Sequence, residues 1–456
     1  MRVIALVDGE HYPSVTRWGL QSAIDAGTDV VAALIVGGVE KLDAEGRMDL
    51  GDIPVIGGGA DPRAALGDAI GERRPEAILD LSDEPVLGYD RRMEMVAVAL
   101  ANGLPYVGSD FRFDPPFTEP ALPAPTLAVI GTGKRAAKTA VAGQTARIAA
   151  SLGLRPVVVA MGRGGPPEPV LAGPEDVTLD ALLRRAERGD HAASDYLEDA
   201  LTSGVPTIGA RRCGGGIGGR PFVSNVPEAA RRAVDLRADP VVLEGSGAAI
   251  PPVPWDAGIL VAPAGVTAHH LTGYLGPLRL LLSDLLIFII GAGPIAGADN
   301  LSTLYPGVRR LRPDIRIAIA DLQPVPLADV RGKDAYLATT AQPAVAGFLA
   351  ASLERTAGCR VVQVSTHLAD RAALERDLAD APPFDVLLTE LKAAAVDVAA
   401  RRALERGAQV VFVDNRPRTA RPAEHETVHG DGEVDDLIRE VIGLARRRAG
   451  MRDVRG

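Results

Sequence analysis

Two lysines and a threonine follow a short apolar segment in the first half of the chain. Residues 130–139, which begin at the end of this apolar segment, read Ile130-Gly131-Thr132-Gly133-Lys134-Arg135-Ala136-Ala137-Lys138-Thr139. A strand that ends in small residues and leads into Lys-Thr at the start of a helix is typical of a P-loop, where backbone N–H groups and the helix N-terminus bind phosphates. We therefore predict that residues 131–139 bind ATP. We expect Lys138 and Lys134 to act as catalytic residues on the transferring phosphoryl group, and Thr139 to bind Mg²⁺.

This segment departs from the usual P-loop pattern G-x-x-x-x-G-K-T. Counting back from Lys138, the two glycine positions hold Thr132 and Ala137. Alanine lacks glycine's tolerance of unusual backbone dihedrals, so the loop must be adapted at Ala137. A glycine-rich turn with chance lysines is the alternative interpretation. The chain contains only five lysines, at positions 41, 134, 138, 333 and 392, and the pair in this loop favours phosphate binding.

A P-loop also needs an acidic partner for its metal ion at the end of another strand. Glu244 directly follows the apolar run Val241-Val242-Leu243 and is the predicted second Mg²⁺ ligand. Asp256 is the alternative, although it precedes its strand rather than following it. The adjacent His269 and His270 would point apart on a helix and make a poor metal pair.

Arginines lie beside glycines in two further segments. One segment, residues 211–220, contains Arg211, Arg212, Gly215 and Arg220, and the other contains Arg163 between two glycines. Glycines allow a ligand to approach the backbone closely, and arginines bind phosphate or carboxylate with paired donors. A flexible loop is the alternative for each segment. We predict that these residues bind a small, highly anionic substrate at the carboxyl ends of the strands.

The composition excludes several classes of protein. Among 456 residues, 49 Lys and Arg face 59 Asp and Glu, and the formal charge of −10 argues against a dedicated nucleic-acid or membrane-surface binder. The two cysteines, Cys213 and Cys359, match neither a disulfide framework nor a zinc site. The apolar run at the N-terminus is too short for a signal peptide. We therefore expect a cytoplasmic protein.

Short apolar runs alternate with helical segments along the whole chain, which predicts an α/β fold with doubly wound parallel sheets. We expect a central P-loop NTPase-type domain over residues 121–330, with Rossmann-like domains over 1–120 and 331–456 on either side. The predicted strands are Val3–Val7, Val30–Val36, Ile53–Ile56, Ala77–Leu81, Pro105–Val107, Thr126–Ile130, Pro156–Ala160, Pro240–Leu243, Gly258–Val261, Leu285–Ile290, Ile315–Ala320, Ala335–Thr339, Arg360–Val364, Val386–Leu388 and Val410–Val413.

Several of these segments together resemble the cyclic 2,3-diphosphoglycerate synthetase family over essentially the whole chain. The segments that carry the resemblance are Arg2–Pro13, Gly131–Arg135, Ser194–Glu198, Leu243–Gly247, Tyr274–Arg279 and Arg331–Lys333. The resemblance implies an enzyme that uses ATP and Mg²⁺ to close the two phosphates of 2,3-diphosphoglycerate into an intramolecular pyrophosphate. It also implies a homodimer. The last third is in addition similar to the end of lipid A disaccharide kinases.

Two other functions remain compatible with the residues. The first is another P-loop small-molecule kinase or ligase that acts on an anionic substrate. The second is a nucleotide-dependent switch or assembly factor, although Asp321-Leu322-Gln323-Pro324 is not a convincing guanine-reading motif. Under the leading hypothesis, one substrate phosphate attacks the γ-phosphorus of ATP and the neighbouring phosphate then closes the ring.

Overall fold

The computed structural model describes residues 1–291, 298–420 and 428–453. Within them the chain forms two β-sheets covered by helices, so the predicted α/β class is confirmed. The strands are built from Val, Ile, Leu and Ala runs that are buried along almost their whole length, as expected when helices cover both faces of a sheet.

The N-terminal unit is a six-stranded sheet in the order β3-β2-β1-β4-β5-β6, parallel except for its last pair. Its elements are β1 (Arg2–Val7), α1 (Pro13–Asp25), β2 (Asp29–Ile35), β3 (Val55–Gly57), α2 (Pro62–Arg73), β4 (Ala77–Asp80), α3 (Tyr89–Ala101), β5 (Tyr106–Val107) and β6 (Arg112–Phe113). The five strands predicted for this unit are all present.

The central unit places the predicted phosphate loop between its first strand and a long helix. Its elements are β7 (Thr126–Gly131), α4 (Lys138–Ser151), β8 (Val157–Gly162), β9 (Val170–Ala172), a 3-10 turn (Pro174–Val177), α5 (Leu179–Glu187), α6 (Asp195–Ser203), β10 (Thr207–Cys213), β11 (Val223–Ser224), α7 (Val226–Asp235), β12 (Val241–Glu244), β13 (Ala257–Pro263), α8 (Ala268–Thr272), α9 (Gly276–Leu281), β14 (Leu285–Ile289), α10 (Ala298–Leu311) and β15 (Arg316–Pro326).

The C-terminal unit adds four strands. Its elements are β16 (Asp334–Ala338), α11 (Pro343–Ala357), β17 (Arg360–Ser365), α12 (Arg371–Ala379), β18 (Val386–Thr389), a π-helix (Ala395–Ala400), α13 (Arg401–Glu405), β19 (Gln409–Thr419) and α14 (Val434–Asp453).

The central and C-terminal strands form one continuous sheet. Its order is β11-β10-β8-β12-β7-β13-β14-β15-β19-β18-β16-β17, with β9 paired to β10. The join is the antiparallel pair between β15 and β19, and α14 packs across the central part of the sheet together with α4. The central and C-terminal units therefore share one sheet, and the domain bounds 1–120, 121–330 and 331–456 stay a prediction.

Three strands of the central unit, β9, β10 and β11, were not predicted from the sequence, and β10 bears on the predicted substrate residues. Residues 207–213 form β10, so Arg211 and Arg212 end a strand rather than begin a loop. Because side chains alternate along a strand, Arg211 is exposed while Arg212 is buried. None of the described helices is both long and apolar enough to cross a membrane.

Candidate active site

The predicted phosphate loop connects β7 to α4. The Lys138 side chain is buried and curls back over the loop, where its Nζ donates a hydrogen bond to the carbonyl of Gly133 at 2.8 Å. A side chain at Gly131 would place Cβ only 2.9 Å from Lys138 Cδ, so this glycine is required by close packing. Burial lowers the pKa of Lys138, and the carboxylates of Glu244 and Asp195 oppose that shift. The lysine therefore lies where a phosphate would meet a partly desolvated cation.

Ala137 occupies a backbone conformation that glycine normally provides. It precedes α4 with φ 62° and ψ 27°, in the left-handed region. Arg135 also has a positive φ of 59°. The backbone at Ala137 thus has the left-handed conformation that the usual glycine of a P-loop would adopt. Because alanine carries a Cβ, this conformation is strained.

Thr139 and Glu244 meet at the base of this loop. Strand β12 lies beside β7, and Glu244 is its last residue. The Thr139 hydroxyl donates to Glu244 Oε1 at 2.7 Å, and the glutamate is only 5% exposed. Asp256, the sequence alternative, accepts from the backbone N–H of Thr126 at 2.9 Å, at the opposite end of β7. Its position favours a structural role.

A hydroxyl and a carboxylate so placed fit Mg²⁺, which commonly takes one or two protein oxygens and completes its octahedron with phosphates and water. Among the described residues, no group of three His, Cys, Asp or Glu side chains is arranged to hold a metal ion by itself. A metal ion at Thr139 and Glu244 would therefore depend on phosphate oxygens from the bound nucleotide.

A second carboxyl group lies against Glu244, and the sequence analysis missed it. Asp199 is fully buried, and no described donor forms a hydrogen bond to either of its carboxyl oxygens. Burial raises the pKa of both carboxyl groups, and Glu244 raises the pKa of Asp199 further, whereas the contact with Asp199 lowers the pKa of Glu244. Asp195 and Glu198 precede Asp199 on α6 at helical spacing, which places the three acids on one face of that helix.

The loop opens into a cleft of about 510 Å³ between the central and C-terminal units. Lys134, Lys138, Thr139, Arg163 and Glu244 line it from the central unit. The residues from the C-terminal side of the sheet are Leu322, Thr340, Lys392, Asp414 and Asn415.

One ion pair crosses this cleft. Lys392 Nζ lies 3.0 Å from Glu198 Oε1 and so links the C-terminal unit to α6. Burial raises the pKa of Glu198 to about 7, although Lys392 opposes the shift. The sequence analysis gave neither residue a role, and the scarcity of lysine in the chain was the one signal that pointed to Lys392.

The predicted substrate residues are only partly brought together. Arg163 lines the cleft, and the buried Arg212 donates to the carbonyl of Ser246, which also lines it, at 2.9 Å. Arg211 instead donates to the carbonyl of Gly165 at 2.6 Å. Gly215 and Arg220 lie on an exposed loop and are not among the residues that line the cleft.

The two adjacent histidines do not form a metal pair. His270 Nε2 lies 3.0 Å from the carbonyl of Thr132 and so contacts the phosphate loop. His269 packs edge-on against Tyr274 with ring centroids 4.6 Å apart. His270 therefore supports the loop backbone, a role that sequence spacing alone did not indicate.

Comparison with known proteins covers almost the whole chain. Family models described as the N-terminal, P-loop and C-terminal domains of cyclic 2,3-diphosphoglycerate synthetase match residues 2–114, 126–320 and 326–416. The cyclic 2,3-diphosphoglycerate synthetase of Rubrobacter xylanophilus is 49% identical over 91% of this chain and 94% of its own length. That of Methanothermobacter thermautotrophicus is 39% identical over 98% of this chain and 96% of its own length.

A solved structure also matches. The chain is similar to LpxK from Aquifex aeolicus in complex with ATP, with a TM-score of 0.40 and 13% identity. The match covers 79% of this chain and 96% of that one.

Proposed function

The chain belongs to the cyclic 2,3-diphosphoglycerate synthetase family, and we propose that it uses ATP to cyclise 2,3-diphosphoglycerate with release of ADP and phosphate. The observation that carries the proposal is the cleft itself. It brings together a phosphate loop with a buried lysine, a hydroxyl and carboxylate suited to Mg²⁺, and Arg163 from the same unit. Such a site suits the transfer of phosphoryl groups between highly charged substrates.

The proposed reaction has two steps. In the first, a phosphate oxygen of the substrate attacks the γ-phosphorus of ATP, the bond to the β-phosphate oxygen breaks, and ADP leaves. In the second, an oxygen of the neighbouring substrate phosphate attacks the phosphorus that now carries the added group. The bond to that group breaks, inorganic phosphate leaves, and the ring closes as a pyrophosphate.

The residues of the cleft support these steps by charge and position. A phosphate dianion is already a nucleophile, so no dedicated base is required. Lys138 and Lys134 stabilise the charge on the transferring phosphoryl group. Arg163 and Arg212 hold the two substrate phosphates near each other despite their repulsion. Arg211, near the end of β10, and Gly215 and Arg220, on the loop after it, would contact the substrate from outside the described cleft lining.

Thr139 and Glu244 would hold Mg²⁺ in the proposed reaction. The ion would neutralise part of the charge of the nucleotide phosphates.

We also propose a homodimer in a reducing cytoplasm. Both cysteines are free thiols, Cys213 exposed and Cys359 buried, which is the state that a reducing compartment maintains. Light scattering after size exclusion would test the dimer.

The experiment that tests the function is release of ADP from Mg·ATP with and without 2,3-diphosphoglycerate. We expect ADP release to depend on the acceptor and to stop in a Lys138→Met variant that retains the wild-type far-UV spectrum. The matched control is Lys333→Met, which removes another of the few lysines, one that does not line the cleft and contacts Gln409 instead, and it should leave turnover unchanged. ADP release at the same rate with and without 2,3-diphosphoglycerate would instead support a nucleotide switch. ADP release that requires a different acceptor would support another kinase or ligase.

A further inference from the structure

Two arginines near the phosphate loop are buried without an acidic partner. Arg212 is 6% exposed and Arg279 is 8% exposed. No carboxylate among the described side chains forms an ion pair with either guanidinium, and the Nε of each is buried with no hydrogen-bond acceptor. An isolated buried charge is costly, so proteins normally pair it.

Other largely buried arginines in this chain follow that rule. Arg147 lies 2.9 Å from the buried carboxylate of Asp414. Arg92 lies 2.9 Å from the buried carboxylate of Asp80. The chain thus supplies carboxylates to some largely buried arginines, although Arg73 and Arg185 also have a buried Nε with no hydrogen-bond partner.

Both unpaired arginines hold the loop that follows Glu244. Arg212 Nη2 donates to the Ser246 carbonyl at 2.9 Å, and Arg279 Nη2 donates to the Ala248 carbonyl at 2.6 Å. Residues 245–247 of this loop line the cleft. The arginines thus approach one stretch of cleft wall, Arg212 from β10 and Arg279 from α9.

We propose that Arg279 is a positioning residue for the anionic substrate, because its buried charge and that of Arg212 are compensated when phosphates enter the cleft. This inference rests on the proposed function and extends its substrate site to a residue outside the predicted arginine loops. Arg279 fixes the Ala248 carbonyl, and its charge contributes to the field that draws the second substrate phosphate to this wall.

The electrostatics of the free protein agree with this assignment. Burial lowers the pKa of Arg279 to about 10, so the group still carries its charge at neutral pH. The positive charges of Arg212 and Arg279 also lower the pKa of Lys138, although burial and the nearby carboxylates have larger effects on it. The positive charges of these three side chains therefore repel one another, and a bound polyanion would relieve that repulsion.

The test compares two substitutions at Arg279. Arg279→Gln removes the charge and leaves a shorter polar side chain, whereas Arg279→Lys keeps the charge. The matched control is Arg147→Gln, which breaks a paired buried arginine. For each purified full-length variant, the thermal midpoint is measured alone and with saturating 2,3-diphosphoglycerate, and the KM values for that substrate and for ATP are determined.

We expect the ligand-free midpoint of Arg279→Gln to equal or exceed that of the wild type, while Arg147→Gln lowers it. The increase in thermal midpoint that 2,3-diphosphoglycerate produces should fall at least twofold in Arg279→Gln. The KM for 2,3-diphosphoglycerate should rise about tenfold in this variant, and the KM for ATP should change less. Arg279→Lys should retain most of the shift.

Three results would overturn the inference. The first is an unchanged 2,3-diphosphoglycerate shift in Arg279→Gln. The second is a ligand-free midpoint for that variant as low as that of Arg147→Gln, which would mark a purely structural arginine. The third is loss of the shift in both Arg279 variants, which would exclude charge as the cause. A wild-type protein that shows no shift with 2,3-diphosphoglycerate would overturn the proposed function itself, and the two failures are thereby distinguished.

Discussion

The strained alanine at the start of α4 provides a quantitative prediction. Ala137 has φ 62° and ψ 27° in the N-cap position. A left-handed conformation costs a non-glycine residue about 1–2 kcal/mol. Glycine removes that strain but costs about 0.5–1 kcal/mol through its greater freedom in the unfolded chain. The difference between the mid-values of these two ranges predicts that Ala137→Gly stabilises the folded state by about 0.75 kcal/mol.

Differential scanning calorimetry measures this effect directly. For a unit of this size, 1 kcal/mol corresponds to a change in thermal midpoint of about 2–4 °C, so the midpoint should rise by about 1.5–3 °C. Turnover should be retained, because glycine is the usual residue at this position of a P-loop. The matched control is Ala351→Gly in the middle of α11, where the residue is exposed and its φ is not among the positive values.

Since Ala351 carries no left-handed strain, its replacement by glycine should lower the midpoint, by an amount that corresponds to about 0.5–1 kcal/mol. A decrease in the thermal midpoint of Ala137→Gly as large as that of Ala351→Gly would contradict the strain inferred at Ala137. That result would mean that the loop does not hold Ala137 in a costly conformation in solution.

Three further predictions concern the site and the N-terminal unit. Lys138→Met should reduce ADP release to background with an unchanged thermal midpoint, and residual turnover above a tenth of wild type would contradict the role of this lysine. Thr139→Val should lower turnover about 10–100-fold and raise the Mg²⁺ concentration required, whereas Thr139→Ser should retain activity because it keeps the hydroxyl that contacts Glu244. Asp8 raises the pKa of His11 through a hydrogen bond, so this pair contributes stability that is fully present below pH 6.5 and is lost as the pH rises through the folded-state pKa. The midpoint difference between wild type and His11→Gln should therefore shrink from pH 6 to pH 9, and a difference independent of pH would contradict the pairing.

The location of the phosphate loop could be predicted because its signals are local. The apolar run that ends at Gly131, the small residues after it, and Lys138-Thr139 all lie within one strand–turn–helix unit. The position of Glu244 beside this loop could be predicted for a similar reason, since it ends a short apolar run whose strand lies next to β7, while its role as a metal ligand stays a prediction. The carboxyl ends of neighbouring parallel strands meet at one edge of a sheet.

The strand β10 escaped prediction because its residues look like a loop. Gly209 interrupts the apolar run, and the two arginines follow it. In the fold the glycine is needed for packing, since a Cβ there would lie 2.6 Å from the ring of Tyr196. Sequence alone does not show this contact, because Tyr196 belongs to a different element.

The acidic face of α6 and the role of Lys392 depend on contacts between distant segments. Asp199 meets Glu244 only because α6 packs beside α4, and Lys392 reaches Glu198 only because β15 and β19 join the two units in one sheet. Helical spacing did place the α6 acids on one face. The spacing gives no indication that Asp199 would be buried against Glu244.

Phosphorus NMR of the purified protein with Mg·ATP and 2,3-diphosphoglycerate would detect the cyclic product itself. If the protein cyclises the acceptor, new acceptor resonances should appear in the pyrophosphate region together with ADP and inorganic phosphate. ADP and phosphate beside an unchanged acceptor, or a complete absence of ATP turnover, would contradict the proposed cyclisation.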